Sequence, residues 1–119
     1  GFVPRTCDNG GKPLVVLLLC AKSIVPMSVA AARPIGMLRF ENGEKMVVAA
    51  PCFDSIYGKT TSIEQVDCNV FSSMERFCNL CEGCGTIAGT AGSGEAKDTV
   101  AAALSRFRSE VEKPERWLN

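Results

Sequence analysis

The sequence predicts an α+β domain in which antiparallel strands come first and two helices follow. Three observations predict it: a continuous aliphatic run at 13–20, a second apolar segment that returns through an Asn-Gly turn at 41–44, and apolar residues at three- and four-residue steps after residue 60. Because strands and helices occupy separate parts of the chain and do not alternate, the pattern favours this class over a parallel α/β sheet.

Three strands are expected in the first half of the chain. Residues 13–20 are aliphatic throughout, as in a strand that is buried on both faces. A second strand is predicted over residues 30–40 and a third over residues 45–50. The turn between them, Glu41-Asn42-Gly43-Glu44, carries the Asn-Gly pair that accepts the positive φ angles of a tight hairpin. Residues 52–60 are expected to form a loop.

Two helices are expected in the second half. Thr61 and Glu64 have the spacing of a capping box, which predicts a helix from Thr61 to about Cys81. Five glycines fall within residues 83–94, so this segment is predicted to be a loop. A second helix is predicted from Glu95 to Val111, with an acidic first turn that suits the positive end of the helix dipole.

Composition excludes several classes of function. The chain has 119 residues, which predicts a single domain over 1–119 with a tail at 112–119. Its 13 basic residues balance 13 acidic ones, so no nucleic-acid partner is expected. The longest apolar run is much shorter than the roughly 20 residues of a membrane helix, so no membrane span is predicted. With no histidine, a Ser-His or Cys-His catalytic pair cannot form within the chain.

Three segments in order resemble the Mg-dependent soluble inorganic pyrophosphatases. They are Gly1-Phe2-Val3-Pro4-Arg5-Thr6, Asn9-Gly10-Gly11-Lys12-Pro13-Leu14-Val15-Val16-Leu17, and Arg33-Pro34-Ile35-Gly36-Met37-Leu38-Arg39-Phe40. The resemblance implies a partial, OB-like antiparallel β-barrel with two flanking helices. It also implies that the family's N-terminal portion is missing from this chain.

The same resemblance implies that the family's catalytic carboxylates are absent. Its three metal-binding aspartates fall on Gly10, Lys12 and Val15. Hard divalent cations such as Mg²⁺ need oxygen ligands, which glycine and valine lack, and a lysine repels the cation. No metal is therefore expected at these positions, and Mg²⁺ is expected only if catalytic groups come from elsewhere.

The substrate-binding positions show the same loss. The family's Tyr-Lys pair falls on Leu80 and Cys81, neither of which can bind a phosphate in the same way. Lys45 matches a phosphate-binding lysine of the family, although a solvent-exposed strand residue explains it equally well.

These positions lead to a prediction of a non-catalytic protein. We expect a pseudoenzyme of the pyrophosphatase type that acts as a structural or assembly subunit of a larger complex, with other protein subunits as partners. The start of the chain suggests a processed organellar protein, from a mitochondrion or chloroplast, and otherwise a cytoplasmic one. The alternative is a soluble inorganic pyrophosphatase whose remaining active-site residues lie outside this chain.

A cysteine cluster provides a second alternative. Cys78, Cys81 and Cys84 have C-x-x-C-x-x-C spacing, and Cys68 lies upstream. Four thiolates could hold zinc or an iron–sulfur centre, which would make the chain a metal-binding module. A disulfide, an inter-chain bond or packed thiols are the other interpretations, and the odd total of seven cysteines leaves at least one unpaired within the chain.

Overall fold

One five-stranded sheet and two helices organise the chain. The computed structural model describes residues 1–21, 24–80 and 86–111, and all structural statements refer to these. In chain order the elements are β1 (Phe2–Val3), β2 (Leu14–Leu18), β3 (Ala32–Phe40), β4 (Lys45–Pro51), a 3-10 turn (Ile63–Gln65), α1 (Cys68–Leu80), β5 (Ile87–Ala91) and α2 (Ser93–Val111). The predicted α+β class with two helices is confirmed. The predicted tail, residues 112–119, lies outside the described residues.

The sheet is mixed, whereas the sequence predicted an antiparallel one. Its strand order is β1-β2-β4-β3-β5. The hairpin of β3 and β4 is antiparallel as expected, and Gly43 takes a positive φ of 88° in its turn. However, β2 pairs in parallel with β4, and β3 lies on the far side of β4. Within the described residues the sheet stays open and does not close into a barrel.

Both faces of the sheet are covered. One face packs on α1 and the 3-10 turn, through a cluster that includes Leu38, Val48 and Met74. The other face packs on α2, through Met37 and Val47 against Ala96 and Ala103. Because each face has its own cover, consecutive residues in the middle of β3 and β4 are buried, and these strands do not show a polar face.

The first helix begins later than predicted. Ser62 caps a short 3-10 turn, where its hydroxyl accepts the Glu64 N–H at 3.3 Å. Val66 then has an extended backbone, which ends the turn. The Asp67 carboxylate accepts the Asn69 N–H at 2.7 Å at the start of α1. The prediction that the helix starts at Thr61 was therefore wrong, because residues 63–65 form a separate 3-10 turn and α1 begins only at Cys68.

The prediction of a loop over residues 83–94 was also wrong in part. Its middle, Ile87–Ala91, is an edge strand that pairs antiparallel with β3, and Gly89 lies opposite Arg39. Small residues and glycine give this segment little strand propensity of its own, so the pairing with β3 decides its conformation. The helix α2 follows almost at once and starts at Ser93.

Candidate functional site

The segment in which the family's metal-binding aspartates are replaced forms a tight turn around Asp8. The Asp8 Oδ1 atom accepts the N–H groups of Gly10 at 2.8 Å and Lys12 at 2.9 Å. The Asp8 N–H donates to the Lys12 carbonyl at 2.7 Å, and Gly11 takes a positive φ of 81°. This carboxylate therefore fixes the turn that leads into β2, a role that was not predicted from the sequence. An aspartate directly before Asn-Gly-Gly was the available signal.

The three positions on which the family's metal-binding aspartates fall offer no ligand set for Mg²⁺. Gly10 and Lys12 are exposed in the turn, and Val15 is 49% exposed on β2. None of them carries a side-chain oxygen. Across residues 1–21, 24–80 and 86–111, no three Asp, Glu, His or Cys side chains meet closely enough to share an ion. The residues present do not fit the magnesium that the family resemblance implies.

Lys45 lies in a different environment from these positions. Its Nζ atom is 3.9 Å from the Glu95 carboxylate on α2. Arg39, opposite Lys45 in the hairpin, donates to both carboxylate oxygens of Glu95 at 2.8 and 2.7 Å. The hydrogen bond from Arg39, together with the positive charges of Arg39 and Lys45, holds the pKa of Glu95 below its usual value.

Lys45 and Val15 are not brought together. Lys45 shares a strand face with Val47, whose side chain packs against α2. On β2 the side chains of Leu14 and Val16 point to this same α2 face, so Val15 points to the opposite one. The family resemblance places Val15 at a lost metal-binding position and Lys45 at a phosphate-binding one, and in the structure these two residues lie on opposite faces of the sheet.

The remaining predicted residues lie on or beyond α1. Leu80 is 81% exposed at the end of the helix, and Cys81 and Cys84 lie outside the described residues. Cys68 and Cys78 are both on α1, about 15 Å apart along its axis at 1.5 Å per residue. Because zinc holds each thiolate at about 2.3 Å, one ion cannot bind both of these cysteines.

A second aspartate organises the loop between β4 and the 3-10 turn. The Asp54 carboxylate accepts the N–H of Tyr57 at 2.8 Å, of Ala21 at 2.8 Å and of Ile56 at 3.0 Å. These hydrogen bonds, led by those from Tyr57 and Ala21, lower the pKa of Asp54. Arg33 holds the other end of the loop by donating to the carbonyls of Gly58 and Thr60 at 3.0 and 2.9 Å. Asp54 and Arg33 therefore hold the two ends of the loop through hydrogen bonds to its backbone.

Comparison with known proteins identifies the family. The model of the inorganic pyrophosphatase family matches residues 1–108. A soluble inorganic pyrophosphatase of Chlamydomonas reinhardtii is 35% identical over 80 residues, which cover 65% of this chain and 42% of that protein. An inorganic pyrophosphatase of Xanthomonas campestris is 28% identical over 122 residues, which cover 93% of this chain and 68% of that protein.

The fold agrees with this match. The crystal structure of the inorganic pyrophosphatase from Thermus thermophilus superposes with a TM-score of 0.79 over 91% of this chain and 68% of its own, at 23% identity. The chain therefore shares the OB-like α+β fold of this inorganic pyrophosphatase. The chain belongs to the inorganic pyrophosphatase family. It spans about half the length of the first curated relatives that it matches, 42% and 51%.

Family membership corrects one prediction. The chain was predicted to be a pseudoenzyme, and that prediction is wrong, because the proteins that it matches are named as inorganic pyrophosphatases, which are enzymes. The inference failed because three substituted positions describe only the segment that contains them. The matched segments make up only 42% and 51% of the first relatives, whose remaining residues can carry further catalytic groups. No observation supports the predicted structural role or a larger complex.

No helix among the described residues is long and apolar enough to cross a membrane. The organellar location that the sequence suggested is not tested by any observation and stays a prediction.

Proposed function

We propose that the protein containing this chain is an inorganic pyrophosphatase, which hydrolyses diphosphate to two phosphates, and that its metal-binding residues lie outside residues 1–119. The observation that carries the proposal is the family match over residues 1–108, supported by the shared fold. Within this scheme the chain provides the central sheet and its two covering helices.

The contacts of the charged side chains support a metal site outside residues 1–119. The substituted positions Gly10, Lys12 and Val15 do not form a cation site, and the Asp8 and Asp54 carboxylates are occupied by backbone N–H groups. Glu95 is engaged by Arg39 and Lys45. Among the described residues no three acidic or cysteine side chains lie close enough to share an ion, so we expect the carboxylates that the family resemblance requires for Mg²⁺ to come from another part of the enzyme. When bound there, the metal would supply charge neutralisation and an activated water.

A phosphate-release assay tests the proposal. The protein isolated from its native source is incubated with pyrophosphate and Mg²⁺, and the recombinant segment 1–119 is assayed beside it. We expect the native protein to release two phosphates per pyrophosphate and the segment alone to stay at the uncatalysed background.

The native protein tests the proposed activity, and the segment 1–119 tests the proposed location of the metal-binding residues. If the native protein releases no phosphate, it is not a pyrophosphatase. If the isolated segment turns over as fast as the native protein, the catalytic residues lie within residues 1–119.

A further inference from the structure

We propose that an exposed apolar surface at one end of the sheet is where two copies of the protein associate. The surface is formed by the loop between β2 and β3 and by the loop that follows β4, and we call it the loop patch. Its members are large apolar residues with at least 67% of their surface exposed: Val25, Met27, Val29, Phe53 and Ile56. This contact is separate from the proposed hydrolysis, because it involves none of the groups discussed for that reaction.

The two loops lie at the same end of the sheet and are joined to each other. The strands β2 and β4 end there and β3 begins there, since β2 runs parallel to β4 and β3 runs antiparallel to it. The Ala21 N–H donates to Asp54 Oδ1 at 2.8 Å, and the Cys52 N–H donates to the Ala31 carbonyl at 3.1 Å. Both ends of the first loop are therefore held against the second, which gathers their apolar residues at one place.

The backbone of Met27 points to a role for its side chain. The Ser28 N–H and hydroxyl both donate to the Val25 carbonyl, at 3.2 and 2.5 Å, and close a turn with Pro26 and Met27 in its centre. Met27 has a φ of 69°, a conformation that such turns usually give to glycine or asparagine. Its side chain is fully exposed, so packing within the described residues does not explain a methionine here. Residues held in such strained conformations are concentrated at functional sites.

The size of the loop patch fits a second copy. Its five residues together expose on the order of 700 Å², close to the roughly 800 Å² per partner that a standard interface buries. The largest apolar patch on a typical monomer is about 300–600 Å². A second loop patch placed face to face would cover this surface, since a two-fold interface uses the same patch on both subunits.

The charge of the loop patch also fits a second copy. Residues 24–31 contain no charged side chain, and Asp54 is the only charged residue in 52–58. The Asp54 carboxylate accepts the N–H groups of Ala21, Ile56 and Tyr57, so its charge is engaged within the loop. A two-fold pair brings a patch against its own copy, where like charges would repel each other. The loop patch avoids that repulsion.

Sedimentation velocity over a range of concentrations tests the proposal. The whole protein that contains this chain is compared with its variant Met27→Asp. Aspartate accepts a positive φ more readily than methionine, so the change removes the apolar side chain without straining the turn. We expect the unchanged protein to associate and the variant to show a dissociation constant at least about tenfold higher, because the substitution acts on both sides of the interface.

Two further variants locate the contact. Leu104→Glu adds the same charge to α2, at an apolar residue that is 41% exposed and lies outside both loops. Glutamate suits a helix, so this control is expected to keep the dissociation constant of the unchanged protein. Phe53→Ser, in the second loop, is expected to weaken association as Met27→Asp does. Thermal unfolding at a concentration at which every variant is dissociated should give Met27→Asp a Tm no lower than that of the unchanged protein.

The results either support this contact or overturn it. Weaker association in Met27→Asp and Phe53→Ser, with Leu104→Glu unaffected, supports the loop patch. A protein that stays monomeric at every concentration overturns the proposal, even if it releases phosphate. Association that Met27→Asp and Phe53→Ser leave unchanged overturns it as well, because the copies then meet through another surface.

Discussion

Gly36 shows how one residue sets the spacing of several elements. It lies in β3, where a Cβ atom would sit 2.7 Å from Ile63 Cβ and 2.8 Å from the Ala91 carbonyl oxygen. A bulge between Pro34 and Gly36 shifts the register at this point. Because β3 passes so close to the 3-10 turn and to β5, only a hydrogen atom fits there.

We expect Gly36→Ala to lower the free energy of unfolding by about 1–3 kcal/mol, as overpacking does in well-filled interiors. Gly89→Ala is the matched control on β5, since a Cβ there meets no atom within 4 Å. The control is expected to change stability by no more than about 0.5 kcal/mol. Urea unfolding of both variants measures the difference, and equal stabilities would contradict the close approach at Gly36.

At the scale of elements, α2 packs on the sheet through alanines. Ala96 and Ala103 are completely buried against Met37 and Val47, whereas Leu104 stays 41% exposed. Small side chains let the helix axis lie close to the sheet. The Ala103 carbonyl also accepts the Cys7 N–H at 3.0 Å, so the helix fixes the segment ahead of the Asp8 turn.

Ala103→Leu is expected to push α2 away from the sheet and to destabilise the fold by about 1–3 kcal/mol. Ala102→Leu makes the same change on an exposed position of the same helix, where alanine and leucine have similar helix propensity. Thermal unfolding should show a lower Tm for Ala103→Leu only. Similar Tm values for the two variants would argue against tight packing at Ala103.

Local signals account for the elements that the sequence predicted well. The hairpin of β3 and β4 depends on its own Asn-Gly turn, and α2 depends on its own helical pattern and acidic first turn. By contrast, β5 and the parallel pairing of β2 with β4 depend on partners far away in the chain. No local pattern encodes such partners, so these features became visible only in the folded structure.

The same distinction holds for the candidate site. The substitutions at Gly10, Lys12 and Val15 could be read from the sequence, because each is a property of one position. The sequence could not show that Lys45 pairs with Glu95 or that it lies on the face opposite Val15. Both facts depend on strand register and on a helix that is distant in sequence.

For the whole molecule, two carboxylates join separate parts of the fold. Asp54 ties the loop after β4 to Ala21, which follows β2, and Glu95 ties α2 to β3 and β4. Both have a lowered pKa in the folded protein. In acid the unfolded chain therefore binds protons at these groups before the folded protein does.

Their contribution to stability is present above the ordinary carboxyl pKa of about 4 and is lost as the pH falls through the lower folded values. We expect the Tm to drop between pH 6 and pH 3, and to drop less in the double variant Asp54→Asn, Glu95→Gln. Glu41→Gln, in the exposed hairpin turn, is the control for the loss of an exposed carboxylate. Differential scanning calorimetry measures all three, and an unchanged slope in the double variant would exclude these two carboxylates as the cause.

The pairing of β3 with β5 has a consequence for how the protein is made. During synthesis the hairpin of β3 and β4 leaves the ribosome before the segments that cover it. One edge of β3 stays unpaired until Ile87–Ala91 has been synthesised, and one face of the sheet stays uncovered until α2 has been synthesised. Contacts between such distant segments slow folding, because a long loop has to close before they form. The nascent chain therefore carries uncovered aliphatic strands until residues 87–111 have been synthesised, and chaperones that bind extended apolar segments are expected to bind it during that interval.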